Sequence, residues 1–428
     1  MSDMKCYPLQ RLGELVSGNR GVSYKPENLK TAIDDNSVVL LRSNNIQSGT
    51  LNFENVQIVP DSLVSDSQIL KKGDIAVCMS NGSRQLVGKS GMLQHEIEYP
   101  LTVGAFCSVF RCQNEDDSEY VRYLFQSQAY QHGIDVALAG SAINNLKNSD
   151  IEAIEVPTAP KELRKKIAEI LSTIDNQIDA TQALIDKYTA IKQGMMADLF
   201  SRGIDPETKA LRPTFEEAPE LYHKTPLGML PKGWDVVELQ TVATVERGKF
   251  THRPRDDKRC FGGGYPFIQT GDVAACVGNH LTQYKQTLSD FGRSVSKEFP
   301  VGTVAVTIAA NIADTAILAM PMCFPDSVVG VVVDERLSSS RFVELCIRMS
   351  KAKLDALAPQ SAQKNINLED LRPLKLPFPS RVEQELVCSS YEAINDPINS
   401  LISEKKKLIA QKSGLMQDLL TGKVPVPA

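Results

Sequence analysis

Paired cysteines, a leader-like N-terminus and long apolar runs are all missing from this sequence of 428 residues. Its nine cysteines, at 6, 78, 107, 112, 260, 276, 323, 346 and 388, are odd in number and show no Cys-x-x-Cys spacing. That distribution excludes a disulfide framework and predicts reduced thiols in the cytoplasm. The opening residues MSDMKCYPLQ have neither the basic nor the apolar segment of a secretion signal. The most apolar window, Val304 to Phe324, is interrupted by Asn311, Asp314 and Pro321, so no membrane span is expected. Five histidines, at 95, 132, 223, 252 and 280, make no His-x-x-x-His pair or Cys/His cluster of ligand spacing, and no metal site is expected. The run FGGGY at 261–265 is not followed by a Gly-Lys-Ser/Thr element, so it reads as a turn between strands and not as a phosphate cradle.

What is present is the size and patterning of two similar domains. The length exceeds what one core usually accommodates. The formal net charge of -5 disfavours a uniformly basic, polyanion-binding surface. Charge is nevertheless uneven, because residues 247–259 (RGKFTHRPRDDKR) carry six Lys or Arg against two Asp, which keeps a local polyanion contact open.

Short apolar runs rich in β-branched residues recur in both halves. VVLLR at 38–42, DIAVCM at 74–79 and FCSVFRC at 106–112 predict strands, with a helix over Glu119 to Gln128. YPFIQ at 265–269, TVAVTIA at 303–309 and VVGVVV at 328–333 repeat the order, with a helix near Ser340 to Ala356. Two α+β domains dominated by strands follow. The stretch from 205 to 233, with prolines at 206, 213, 219, 226 and 231, reads as an extended linker.

Each half ends in the same segment. Residues 140–204 align without a gap on 360–424, an offset of 220, with 14 identities in 65 positions. Seven identities fall within 13 residues, where Lys187, Ala190, Lys192, Gly194, Met196, Asp198 and Leu199 face Lys407, Ala410, Lys412, Gly414, Met416, Asp418 and Leu419. In both copies the apolar period changes to about 3.5 after a proline-marked boundary, VPTAP at 156–160 and LPFPS at 376–380. One stripe comprises Ile167, Leu171, Ile174, Ile178, Ile185, Tyr188, Met195 and Leu199, interrupted by Thr181 and Lys192. The other comprises Val387, Tyr391, Ile394, Ile398, Leu401, Leu408, Leu415 and Leu419. Either stripe alone could belong to a long surface helix packed on its own domain, but narrow stripes of this length suit a partner helix, and two matching ones in one chain favour pairing with each other, as rods of about 55–60 Å. Pro397 replaces Gln177, so the second helix is expected to kink or restart there, with Asp396 as its N-cap.

Tandem strand-rich domains, each followed by a long helix, resemble the specificity (S) subunit of Type I restriction-modification enzymes. The likeness covers nearly the whole chain. It rests on GMLPKGW at 228–234, KGDI at 72–75 (VGTV at 301–304 departs from it), SAQKNI at 361–366, Pro377 to Gln384 with Glu383 and Gln384, and LMQDLLTGK at 415–423. The first copy is looser, with SAINNL at 141–146 and KELR at 161–164. The resemblance implies an α+β protein with target recognition domain 1 at 1–160, a conserved helix at 161–204, a linker at 205–233, target recognition domain 2 at 234–380 and a second conserved helix at 381–428. The helices would form an antiparallel coiled coil that measures distance between the halves of a bipartite double-stranded DNA site. Two methyltransferase (M) subunits would supply S-adenosylmethionine chemistry, and restriction (R) subunits would use ATP and Mg. This chain would bind no cofactor and perform no catalysis, and it lacks the Asn-Pro-Pro-aromatic motif of an amino-methyltransferase.

For such a role, contacts to DNA are expected from basic and amide side chains on loops. The candidates are Arg20, Lys25, Asn81, Arg84 and Asn144 in the first half, and Arg247, Lys249, Arg253, Arg255, Gln363, Lys364 and Asn365 in the second. Two other readings stay open: a coiled-coil scaffold joining two protein-binding domains, and a self-sufficient methyltransferase, which the missing motif disfavours.

Overall fold

A computed structural model describes residues 6–47, 49–139, 144–309, 311–358 and 365–426. The chain forms two compact units, one of residues 1–184 with 401–428, the other of residues 185–400. The division falls inside both long helices, so each unit holds a strand-rich domain and a part of each helix.

In the first unit a four-stranded sheet runs in the order Val16–Arg20, Cys107–Cys112, Ile75–Cys78, Ser90–Met92. A three-stranded sheet runs Gln57–Pro60, Ser37–Leu41, Leu101–Val103. The expected strand cores are therefore strands, each buried on both faces or nearly so, which explains their unbroken apolar character. The expected helix over Glu119 to Gln128 is two helices, Ser118–Leu124 and Gln128–Ala139.

In the second unit a five-stranded sheet runs Ala243–Arg247, Val328–Val333, Val304–Thr307, Thr315–Leu318, His280–Leu281. Its helix Ser340–Met349 starts where the Ser339 hydroxyl accepts from the Phe342 amide at 3.2 Å, satisfying one free donor of the first turn. The FGGGY run lies inside the strand Phe261–Phe267 and is not a turn between strands. Its glycines form an irregular stretch where both Phe261 and Tyr265 pair with Leu288. The stretch 205–233 is more ordered than an extended linker: Tyr222–Thr225 pairs with Gly228–Pro231 in a hairpin, and Trp234 is buried beyond it. Arg212 in this stretch forms a bidentate pair with the buried Glu383, whose carboxylate also accepts from the Ile204 amide at 2.9 Å.

The departure at VGTV has a partner that explains it. Asp74 is buried, paired with Arg111 at 2.6 Å and capping the Lys71 amide at 2.7 Å. At the equivalent places the second unit has Thr303, which donates to the Pro300 carbonyl at 2.7 Å, and Val332. Without an arginine on the neighbouring strand, a buried carboxylate there would be unpaired, and threonine avoids that cost.

The long helices are Lys161–Ser201 and Arg381–Thr421, 41 residues each. Each is about 60 Å long. Ile167 and Leu171 join the core of the first unit with Leu419 and Leu420. Met196 and Leu199 join the core of the second with Val387 and Tyr391. Met196 is buried there, and Met195, the stripe residue expected from the sequence, packs at its side. In the first unit Lys412 pairs with Asp175 at 2.7 Å and Lys405 donates to Gln182. One helix advances by seven residues as the other retreats by seven, so the pair is antiparallel with heptad spacing. Pro397 lies inside a continuous helix, which neither restarts there nor uses Asp396 as a cap. Its neighbours Asn395 and Ile398 are buried, and this packing holds the helix through the missing donor.

Candidate nucleic-acid interface

In both units the central strands end where three backbone segments meet, and the hydrogen-bond skeleton is the same. In the first unit Gly21 follows Arg20 at the end of its strand. A Cβ there would come within 2.3 Å of the Gly104 carbonyl, so only glycine lets the turn at 104–106 lie against the strand. The Gly21 amide donates to Cys107 O at 2.9 Å and the Val22 amide to Val103 O at 2.8 Å. The amides of Met79 and Ser80 both donate to Phe106 O, at 2.8 and 3.1 Å. The Leu146 amide closes the set on Met79 O at 2.8 Å.

In the second unit Gly248 would bring a Cβ within 2.3 Å of Pro325 O. The Gly248 amide donates to Val328 O at 2.8 Å, Lys249 to Phe324 O at 3.0 Å, Ile308 to Ser327 O at 3.2 Å, and Ile366 to Ile308 O at 3.0 Å. Arg247 therefore stands where Arg20 stands, Asp326 where Ala105 stands, and Ser327 where Phe106 stands.

The side chains on this common frame differ. Arg20 is an internal clamp: its Nε donates to Ala105 O at 2.7 Å and its Nη1 to Leu146 O at 3.1 Å. Asn81 and Asn144 belong to the same cluster, the first donating to Ser43 Oγ at 3.3 Å and the second to Gly82 O at 3.3 Å. Lys25 and Arg84 fall outside it. Lys25 opens the short helix Pro26–Asn28 beside Glu27, and Arg84 donates to the Asp135 carbonyl at 3.2 Å.

In the second unit Arg247 and Lys249 make no side-chain hydrogen bond or ion pair with another described residue, and Lys249 is exposed. Arg253 donates to the carbonyls of Phe250 and His252 at 2.9 and 2.8 Å, and Arg255 pairs with Asp326 at 3.0 Å. Within the same loop Asp257 accepts from Arg259 and His252, and these bonds hold its carboxyl well below the usual carboxylate range. Asn365 is exposed and bridges to Ala309, as Asn145 bridges to Ser80. Gln363 and Lys364 lie outside the described residues.

Two features of this region escape sequence reasoning. Phe106 is 68% exposed at the tip of its turn, yet in FCSVFRC it reads as one more strand residue. The clamp role of Arg20 depends on carbonyls 85 and 126 residues away. Among the described residues no group of three or more His, Cys, Asp or Glu is placed to hold a metal ion, and no helix is long and apolar enough to cross a membrane.

A model of the Type I restriction modification DNA specificity domain matches residues 10–189 and 231–411, one match in each half of the duplication. The chain belongs to this family. It is 24% identical over 422 residues to the Type I restriction enzyme EcoKI specificity subunit of Escherichia coli (strain K12), covering 94% of this chain and 84% of that one. It is 32% identical over 215 residues to the StySPI specificity subunit of Salmonella potsdam, covering 49% and 45%. Among solved structures, the S subunit of a Type I restriction-modification system from M. genitalium shares the fold with a TM-score of 0.59 at 13% identity, covering 100% of this chain and 98% of that one.

Proposed function

We propose that this chain reads a bipartite DNA sequence, one half with each unit, and docks the subunits that act on it. The observation that carries this reading is the contrast within the duplication. The hydrogen-bonded frame at the strand ends is the same in both units, while the side chains it presents differ, as two surfaces that meet different half-sites require. The C-terminal parts of the helices are matched instead, at seven of the 13 positions from 187 to 199, as two surfaces that meet copies of one partner require.

In this reading two methyltransferase subunits dock on the repeated helical faces, restriction subunits join them, and both work in the cytoplasm. S-adenosylmethionine, ATP and Mg belong to those partners, and this chain has no catalytic role. The DNA backbone repeats about every helical turn, which suits two related binding units held at a fixed distance. Phosphate contacts fix the register, and amide and apolar groups on the loops distinguish bases.

Methylome sequencing of a host with and without this chain tests the reading. One bipartite adenine-methylation motif should disappear with the chain, and footprinting of the assembled methyltransferase should protect two half-sites around an unread spacer. An unchanged methylome with no protected DNA would leave the scaffold reading in its place, and methyl transfer by the chain alone would assign it catalysis.

A further inference from the structure

We infer that Phe106 is an apolar base-reading residue of the first unit, contacting the 5-methyl group of a thymine in its half-site; this rests on the DNA-reading role proposed above. Among the described residues Phe106 is the most exposed of the large apolar side chains, at 68%. The backbone that carries the ring is fixed. Its carbonyl accepts from both Met79 and Ser80, the Cys107 amide donates to Gly104 O at 2.8 Å, and Arg20 Nε holds Ala105 O at 2.7 Å. A ring presented on a backbone held from three sides loses little conformational freedom when something covers it.

Its surroundings indicate what covers it. Asn81, Asn144 and Asn145 crowd the same strand ends, and amides beside an apolar group suit a base edge with its methyl better than an apolar protein surface. The repeat supplies an independent argument. A partner shared by both units would meet like residues at like positions, as the helices offer; here the equivalent of Phe106 is Ser327 on the same frame. A difference between a phenyl and a hydroxyl at matched tips is what two different base sequences call for.

The test uses the chain assembled with its methyltransferase subunits and the DNA they methylate. Replacing one thymine of the first unit's half-site by deoxyuridine, which removes only the methyl group, should weaken binding by about tenfold. Phe106→Ser should weaken binding to the thymine-containing site by the same factor, Phe106→Leu by less, and Phe106→Ser should lose nothing further on the deoxyuridine site. The salt dependence of binding should be the same in all three proteins, since no phosphate contact is removed. The inference is overturned if no deoxyuridine substitution matters, if the two losses add, or if Phe106→Ser instead weakens assembly with the methyltransferase in the absence of DNA, which would place the ring in a protein interface. Each of those outcomes leaves the DNA-reading role standing, whereas loss of two-part protection in the unaltered protein would remove that role itself.

Discussion

Lys192 donates to Asn395 Oδ1 at 3.1 Å, and it is the same contact that Lys412 makes with Asp175, because 220 residues separate Lys192 from Lys412 and Asp175 from Asn395. Each lysine also lies over a tyrosine ring, Lys192 over Tyr391 at 5.8 Å and Lys412 over Tyr123 at 5.6 Å. The first unit uses a carboxylate, which also accepts from Arg122 at 3.3 Å and Tyr123 at 2.8 Å. The second uses an amide, which is tied onward to Asn279 at 2.9 Å. Asp175→Ala leaves the largely buried Lys412 without an anion and Arg122 with Glu119 alone, at 3.4 Å, and should destabilise the first unit by about 2 kcal/mol, against about 1 kcal/mol for Asn395→Ala in the second. Urea unfolding of each variant, followed by probes in each unit, measures both.

Burial, and after it the neighbouring Arg348, lowers the pKa of Lys192 below the usual lysine value of 10.5. Between the two values the unfolded chain binds more protons than the folded one, so this group's penalty is full at lower pH and fades as pH rises toward 10.5. Lys192→Met removes that titration. The stability of the native protein relative to Lys192→Met should therefore improve as pH rises into the alkaline range, and parallel curves would refute it; thermal melts across that range decide it.

The basic stretch 247–259 divides into free and engaged cations. Neutralising Arg247 and Lys249 should each lower the salt slope of DNA binding by about one, as for one lost phosphate contact. Arg255→Ala should lower it less, because Asp326 already holds that guanidinium at 3.0 Å. Asp326→Ala should release Arg255 and raise affinity at low salt. Titrations at several salt concentrations give all four slopes.

Pro397 interrupts the hydrogen-bond ladder of a helix that continues through it. Pro397→Ala restores one donor and relieves the ring's clash with the preceding turn, and should stabilise the second unit by about 1–3 kcal/mol. A loss of stability would show that the packing around Asn395 and Ile398 depends on the proline.

Gly194 and Gly414 are matched positions inside the long helices, both exposed, and an added Cβ at either would meet nothing within 4 Å. Alanine at each should stabilise the isolated chain by about 0.5–1 kcal/mol. If the repeated face docks methyltransferase subunits at close range, a large residue such as Gly194→Gln should weaken assembly without weakening folding. Sedimentation of the mixed subunits, beside a melt of the chain alone, separates the two effects.

The long helices were legible because a heptad stripe is a local, repeated signal, and the residues that broke it were informative. Lys192 and Thr181 interrupt the apolar stripe, and the structure places one on Asn395 and folds the other's hydroxyl back to Gln177 O at 2.7 Å. Pro397 misled as to a restart, because a local rule for proline does not include the packing that holds the helix on either side of it. FGGGY misled for a similar reason: glycine marks a turn by its backbone freedom, and the same freedom allows an irregular strand held by pairing with Leu288.

By itself the sequence determined the duplication, the alternation of strands, the positions of both long helices and the family likeness, since all of these are periodic or local in the chain. Only the tertiary structure decided which cations are free and which are clamped. Arg20 and Arg247 occupy matched positions, yet one is held by carbonyls 85 and 126 residues away and the other has no described partner. Hydrogen bonds over such separations depend on how distant strands are brought together, and no local pattern encodes them.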